Sequence, residues 1–243
     1  MDVQAEGALV KLEQILTIAG REYPIVKIRC RLGLKQVGSG FITIRTPSPP
    51  DPGLLVLDAF YPASPRHEIF RGGIGDMVSS GRNYCDLFVR ELSCAVDFDF
   101  RFHRRHITAQ HLLRSICETT GLEVAVPDGA KWMDVQQPDF INMTDCRSAL
   151  ESAINIWHIQ DGIWCQLPGG ALYFGEYEKS PFFGDTVVDL SPKLIVKHIP
   201  DLKRIELPTL PRMRPGSRFH LNGRIWIVDQ LEYGGATSKI GYL

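Results

Sequence analysis

Short apolar stretches separated by turns make up most of residues 7–102. Residues 41–45 are rich in β-branched side chains, which predicts a strand. This strand must end before residues 47–53, because the four prolines there cannot donate ladder hydrogen bonds. Residues 72–78 and 84–92 flank the polar stretch 79–83, and this arrangement predicts a hairpin.

The most regular alternation of apolar and polar positions covers residues 95–103. The apolar positions of this stretch are Val96, Phe98, Phe100 and Phe102. A period of two is typical of a strand with one face in solvent. We therefore predict a strand over 95–103.

The spacing of apolar residues becomes helical after Thr108. Thr108 is a suitable N-cap for a helix over 109–120, and Gly121 is suited to end it. A second helix is predicted from Thr144 or Asp145 to about residue 158, on the spacing of its apolar side chains.

Strands return after the second helix. Residues 162–167 and 171–177 flank a Pro-Gly-Gly turn, which predicts a hairpin. The remaining strands are predicted at 186–190, 194–199, 204–207, 218–221, 224–233 and 237–242. Asn222-Gly223 between two of them is a strong hairpin signal, and the spacing is typical of a small antiparallel barrel.

Together these elements predict an α+β, mainly β fold with two small antiparallel β-barrels and a helix-containing α/β insert between them. The expected domains are 1–103 for the first barrel with its N-terminal segment, 104–180 for the insert and 181–243 for the second barrel.

Composition narrows the classes of function. The 243 residues carry 27 basic and 28 acidic side chains, so no overall field draws the chain to nucleic acid or an anionic membrane. No apolar stretch approaches the roughly 20 residues of a membrane span, and residues 1–6 carry acids where a secretory signal has bases. We expect the protein to be made and folded in the cytoplasm, where the six cysteines remain thiols.

Catalytic motifs are missing from the sequence. Residues 71–75 are rich in glycine but lack the lysine of a phosphate-binding loop, and residues 37–40 miss the spacing of a nucleophile elbow. His67-Glu68 lacks the second histidine of a zinc-protease helix. We therefore expect no enzyme activity, no cofactor and no metal.

One dense polar cluster is a candidate interface or anion patch. Its members are Arg101, His103, Arg104, Arg105 and His106, with His111 nearby in the first helix. Three interpretations are open. The cluster could bind a metal, meet phosphates or an acidic neighbouring subunit, or simply be a solvated connection between domains, which is the favoured interpretation.

Two alternatives from other classes of function also remain open. A small hydrolase, such as a peptidoglycan-degrading enzyme, would use Cys117 or Cys146 with His111 or His158, because helix N-termini can lower a thiol pKa. The carboxylate pair Asp97 and Asp99 could serve the same class. A nucleic-acid-binding barrel would use residues 101–105 and nearby aromatic side chains as a stacking groove.

Three segments together resemble the phage tail hub family, which includes late control protein D, myophage baseplate hubs and the N-terminal part of type VI secretion spike proteins. Residues 69–75 and 84–89 are similar to the family's strand, glycine turn and returning strand. Residues 107–122 are similar to the helix that leaves its first barrel. Residues 213–228 are similar to its barrel-closing hairpin.

The resemblance implies a structural protein of the virion tail tip or baseplate. It implies a homotrimer whose two barrels per subunit form a six-barrel ring. Such a ring would join the tail tube or a distal tail protein to a spike, fibre or other tail-tip protein. DNA would pass through its lumen during ejection, which a nearly neutral chain permits.

Overall fold

A computed structural model describes residues 11–81 and 83–243. The interpretation of residues 1–6 lies outside the described residues, as do the start of the first predicted domain and Arg82 in the predicted turn over 79–83.

Strands account for 47% of the chain and helices for 18%, which confirms the expectation of a mainly β fold. The strands are β1 Glu13–Ile18, β2 Arg21–Tyr23, β3 Ile25–Gly33, β4 Ser39–Arg45, β5 Leu55–Phe60, β6 His67–Ser79, β7 Tyr84–Glu91, β8 Phe102–Thr108, β9 Val124–Ala125, β10 Gln136–Asn142, β11 Gly162–Gln166, β12 Leu172–Glu176, β13 Val188–Asp189, β14 Lys197–Ile199, β15 Arg204–Pro208, β16 Arg218–Leu221, β17 Arg224–Tyr233 and β18 Thr237–Tyr242.

Two α-helices interrupt the strands. They are α1 Ala109–Thr120 and α2 Cys146–Ile156. Short 3₁₀ helices lie at Leu92–Asp97, Lys131–Asp134, Tyr177–Lys179, Pro192–Leu194 and Pro200–Leu202.

One large sheet joins the two ends of the chain. Its order is β14-β15-β18-β17-β3-β4-β7-β6-β5-β1-β2, with β16 beside β17 and β13 beside β16. Residues 230–233 of β17 pair with residues 30–33 of β3, and this pairing connects the C-terminal strands to the N-terminal ones. The ladder ends at β14 and β2, and no closed barrel is found in the described residues. The expectation of two closed barrels is therefore not confirmed.

Two large apolar cores lie in the described part of the chain. The first packs along the large sheet and combines side chains from both of its ends, such as Leu57, Val89 and Phe219. The second packs α1 and α2 on the small sheet β11-β12-β9, with Leu150 and Trp164 fully buried.

Both helices begin and end where local chemistry predicts. The Thr108 hydroxyl accepts a hydrogen bond from the His111 backbone N–H, and Gly121 ends α1 in the left-handed conformation with φ 70°. The Asp145 carboxylate caps α2 by accepting from the Ser148 backbone N–H at 2.8 Å. Both predicted helices are confirmed.

The predicted strand over 95–103 is wrong. Residues Leu92–Asp97 form a 3₁₀ helix, closed by a hydrogen bond from the Phe98 N–H to the Ala95 carbonyl at 3.1 Å. The strand begins only at Phe102. The alternation is misleading for two reasons. Local 3₁₀ hydrogen bonds satisfy the backbone N–H and C=O groups of this segment. Phe100 is buried in the second core and not on a sheet face.

The predicted hairpins are confirmed. β6 pairs with β7, β11 pairs with β12, and Leu221 pairs with Arg224 across Asn222-Gly223. Two C-terminal strands are shorter than predicted. Only residues 188–189 of 186–190 and residues 197–199 of 194–199 are strand, because the 3₁₀ helix Pro192–Leu194 occupies the start of the second stretch.

Candidate interaction surface

The polar cluster predicted from the sequence lies on a two-stranded ribbon. β8 pairs with β10 in an antiparallel register that runs from Thr108 opposite Gln136 to Phe102 opposite Asn142. The isolated bridge between Asp99 and Asp145 continues the same register. The ribbon therefore extends over residues 99–108 and 136–145.

Alternation along this ribbon divides the predicted cluster. Arg101, His103 and Arg105 project to one face of the ribbon. Arg104 pairs with the buried Phe140, so its side chain leaves the backbone on the opposite face. His106 has a left-handed backbone with φ 52°. The structure thus brings together three of the five predicted residues on one face.

The same face carries exposed apolar side chains from the partner strand. Ile141 is 57% exposed and Met143 is 66% exposed. Two of the three basic residues have acidic neighbours, because Arg101 Nε lies 3.3 Å from Asp99 and His103 Nε2 lies 3.0 Å from Asp139. We call this face, formed by Arg101, His103, Arg105, Ile141 and Met143, the ribbon surface.

The ribbon surface combines weakly paired charges with exposed apolar side chains. Exposed ion pairs of this kind contribute about 1 kcal/mol or less, so they leave the basic groups free to change partners. Clustered exposed apolar side chains beside charges are typical of an interface rim and core. Sequence reasoning missed Ile141 and Met143, although the alternation of 139–143 carries the signal.

No group of three or more potential metal ligands is present within residues 11–81 and 83–243. His111 is engaged elsewhere, since its Nδ1 lies 3.1 Å from the Thr108 hydroxyl.

The cysteines proposed for a hydrolase are not activated. Burial, and then the charge of Asp145, raise the pKa of the Cys146 thiol to about 11. Burial also raises the pKa of Cys117. Both thiols therefore stay protonated near neutral pH, which removes the premise of a cysteine nucleophile.

The carboxylates proposed for the same class of enzyme belong to separate ion pairs. Asp97 contacts Arg90 and Arg147, whereas Asp99 contacts Arg101. The two carboxylates therefore contact different arginines and do not form a pair with each other.

A buried polar junction joins the large sheet to the inserted hairpin. Glu91 is 3% exposed and accepts a hydrogen bond from the Gly38 N–H at 2.7 Å. Gln166 accepts from the Ser93 N–H and donates to the Arg71 carbonyl, each at 2.8 Å. These bonds hold the insert on the sheet.

Arg214 places a permanent positive charge beside this junction. It donates to the Glu68 carbonyl at 2.6 Å and borders a cavity of about 10 Å³ with Glu91 and Gln166. Burial raises the pKa of Glu91 to about 7, against the lowering effects of Arg214 and the Gly38 N–H. The burial of Glu91 could be predicted from the sequence, because it continues the alternation of the inward-facing Leu87 and Val89 in β7.

Within the described ranges, no helix has the length and apolar character to cross a membrane.

Comparison with solved structures gives closely matching folds. The 43 kDa tail protein of prophage MuSo2 from Shewanella oneidensis matches with a TM-score of 0.69 and 8% identity, over 96% of this chain and 97% of that one. The chain has the fold of phage tail proteins. This confirms, at the level of the fold, the resemblance seen in the sequence.

Type VI secretion proteins share this tail-protein fold. The E. coli c3393 protein, a component of that system described as similar to the T4 tail proteins gp27 and gp5, matches with a TM-score of 0.64 and 9% identity, over 94% of this chain and 76% of that one. A chain of the Francisella PdpA-VgrG complex matches with a TM-score of 0.62 and 8% identity, over 95% and 57%.

A curated relative also comes from a phage. An uncharacterized 58.7 kDa protein in the lys 3′ region of Haemophilus phage HP1 is 24% identical over 211 residues, which cover 86% of this chain. The matched part is 38% of the relative's length. No protein-family model matches the sequence.

Proposed function

We propose that this protein is a structural hub of the tail tip or baseplate of a phage or phage-like particle. The observation that carries the proposal is the match to a phage tail protein over nearly the whole length of both chains. The phage origin of the curated relative supports it as well.

The hub is a homotrimeric ring in this proposal. Each subunit contributes an N-terminal half, built on β1 to β7, and a C-terminal half, built on β13 to β18. Six such barrel-like halves would match a sixfold tail tube on one side and a threefold spike on the other. Among the described strands, the large sheet ends at β14 and β2, and unpaired edges are commonly covered by neighbouring chains.

The domain division that belongs to this proposal is 1–103, 104–180 and 181–243. The separate core of α1, α2 and the small sheet supports an independent insert. The core along the large sheet contains side chains from both 1–103 and 181–243, which supports direct packing of these two domains against each other.

The proposed partners are the tail tube or a distal tail protein and a spike, fibre or other tail-tip protein. The Francisella match, a complex that includes VgrG, supports contacts of this kind. The ribbon surface is the proposed contact for one such neighbour, because it offers basic and apolar side chains together. DNA would pass through the lumen of the ring, and the protein would be assembled in the host cytoplasm.

The role is non-enzymatic in this proposal. Protonated thiols at Cys117 and Cys146 and the separate ion pairs of Asp97 and Asp99 support a structural role.

Mass measurement in solution tests the proposal. A subunit of 27.3 kDa predicts a trimer of about 82 kDa in native mass spectrometry. Mixing with tail-tube and spike proteins of the same particle should give larger complexes. A strictly monomeric protein that joins none of these proteins would contradict the proposed function.

A further inference from the structure

An open seam separates β1 from β3 in the large sheet. β1 and β2 form a hairpin in which Leu16 pairs with Tyr23. Continuing that register would place Gln14 opposite Ile25 and Leu12 opposite Lys27. The pairing stops instead at Pro24, which has no N–H to donate, and β3 leaves β1 to pair with β4.

The two strands therefore face each other with free edges. Among the described strands, residues 13–15 of β1 pair with β5 alone, because the pairing with β2 covers only residues 16–18. Residues 25–29 of β3 pair with β4 alone among the described strands, because β17 begins to pair at Cys30. Unpaired edges of this kind favour the addition of a strand.

The seam is an open pocket of about 910 Å³. It lies between Lys11, Leu12 and Gln14 on one side and residues 25–28 and the turn at 234–237 on the other. A hydrogen bond of 2.8 Å from Gln14 Nε2 to the Tyr233 hydroxyl crosses its inner end. Leu12, Ile25 and Val26 line it, and Val26 is 50% exposed.

The positive charge of the seam favours an acidic occupant. Lys11 and Lys27 line it, and none of the described residues that line it carries a carboxylate. Neither lysine forms an ion pair with a described residue. An extended segment with apolar side chains and flanking acids would complement both the apolar wall and the charge.

The chain itself carries such a segment at residues 185–189, Asp-Thr-Val-Val-Asp. Asp185 and Asp189 are exposed, and Asp189 lies 3.3 Å from His220 Nδ1. The two valines are half-buried, and Val188 packs against the first core. β13, at the end of this segment, pairs only with β16 among the described strands, so its other edge is free.

We propose that the seam between β1 and β3 is the contact site for residues 185–189 of a second copy of this chain, which would pair through the edge of β13 that does not face β16. The contact is head to tail, because the acceptor lies in the N-terminal half and the donor in the C-terminal half. Repeated head-to-tail contacts close into a ring when the rotation permits. The inference rests on the proposed function, since it assigns the contact that would build the trimer.

Charge exchange in the full-length protein tests the pairing. The acceptor variant is Lys11→Glu with Lys27→Glu, the donor variant is Asp185→Lys with Asp189→Lys, and the third protein carries all four changes. In sedimentation equilibrium, each double variant should dissociate at a protein concentration about tenfold higher than the wild type does. The variant with all four changes should associate as strongly as the wild type.

A matched control carries Lys131→Glu with Lys193→Glu, two exposed lysines outside the seam. It should associate as the wild type does. Circular dichroism of every variant checks that the fold is kept. A trimer that forms equally well in both double variants would overturn the seam contact while leaving the proposed hub intact, whereas a wild-type monomer that joins no tail protein would remove the hub as well.

Photo-crosslinking identifies the occupant directly. A photoreactive amino acid in place of Val26 should link one subunit to residues 185–189 of another. A link to the same subunit or to a different tail protein would overturn the assignment of a second copy.

Discussion

At the scale of single residues, Glu91 is a buried acidic group whose pKa lies near neutral pH. Its carboxyl is buried in the polar junction, and burial raises its pKa from 4.5 to about 7. A raised carboxyl pKa means that the folded protein holds the proton more tightly than the unfolded chain. The stability from this group is full below about pH 4.5 and is lost as the pH rises through 7.

Glu91→Gln should therefore change the pH dependence of folding. Glutamine keeps an acceptor for the Gly38 N–H but cannot ionise. Urea unfolding gives the free energy of unfolding of the variant minus that of the wild type. This difference should rise by on the order of 3 kcal/mol between pH 4.5 and pH 8. An identical difference at both pH values would show that Glu91 is not protonated in the fold.

Gly72 and Gly73 form a matched pair in β6. A Cβ on Gly72 would lie 1.9 Å from the Arg90 carbonyl oxygen, whereas a Cβ on Gly73 would meet nothing within 4 Å. Gly72→Ala should lower the free energy of unfolding by about 3 kcal/mol, as overpacking against a backbone does. Gly73→Ala should be neutral or slightly stabilising. Equal effects in thermal unfolding would contradict the close approach of β6 and β7.

At the scale of elements, local chemistry predicted most of what the structure contains. The caps Thr108, Gly121 and Asp145 and the turn Asn222-Gly223 act on neighbouring residues, so the sequence alone places their elements. The strand predicted over 95–103 failed because its backbone bonds go to a 3₁₀ helix and to Thr144, which apolar alternation does not reveal.

The cap of α2 gives a prediction at this scale. Asp145→Ala should lower the free energy of unfolding by about 1 kcal/mol, because the Ser148 N–H would lose its acceptor. Asp145→Asn keeps an acceptor and should cost much less. Chemical denaturation of the two variants compares them, and equal losses would show that the cap contributes nothing.

At the scale of the whole molecule, the sequence could not predict how the two ends meet. β3 and β17 lie about 200 residues apart, and no local pattern specifies that residues 30–33 pair with residues 230–233. That pairing turns two expected barrels into one sheet, and it places the open seam beside the turn at 234–237. The ribbon surface was predicted only in part, because its apolar half comes from β10.

In the proposed ring, other copies of the chain complete the strand edges that are unpaired in each subunit. Electron microscopy of the purified protein tests the ring most directly. We expect particles with threefold symmetry, six similar lobes and a central hole. Single compact particles without a hole, at concentrations where the protein remains folded, would contradict it.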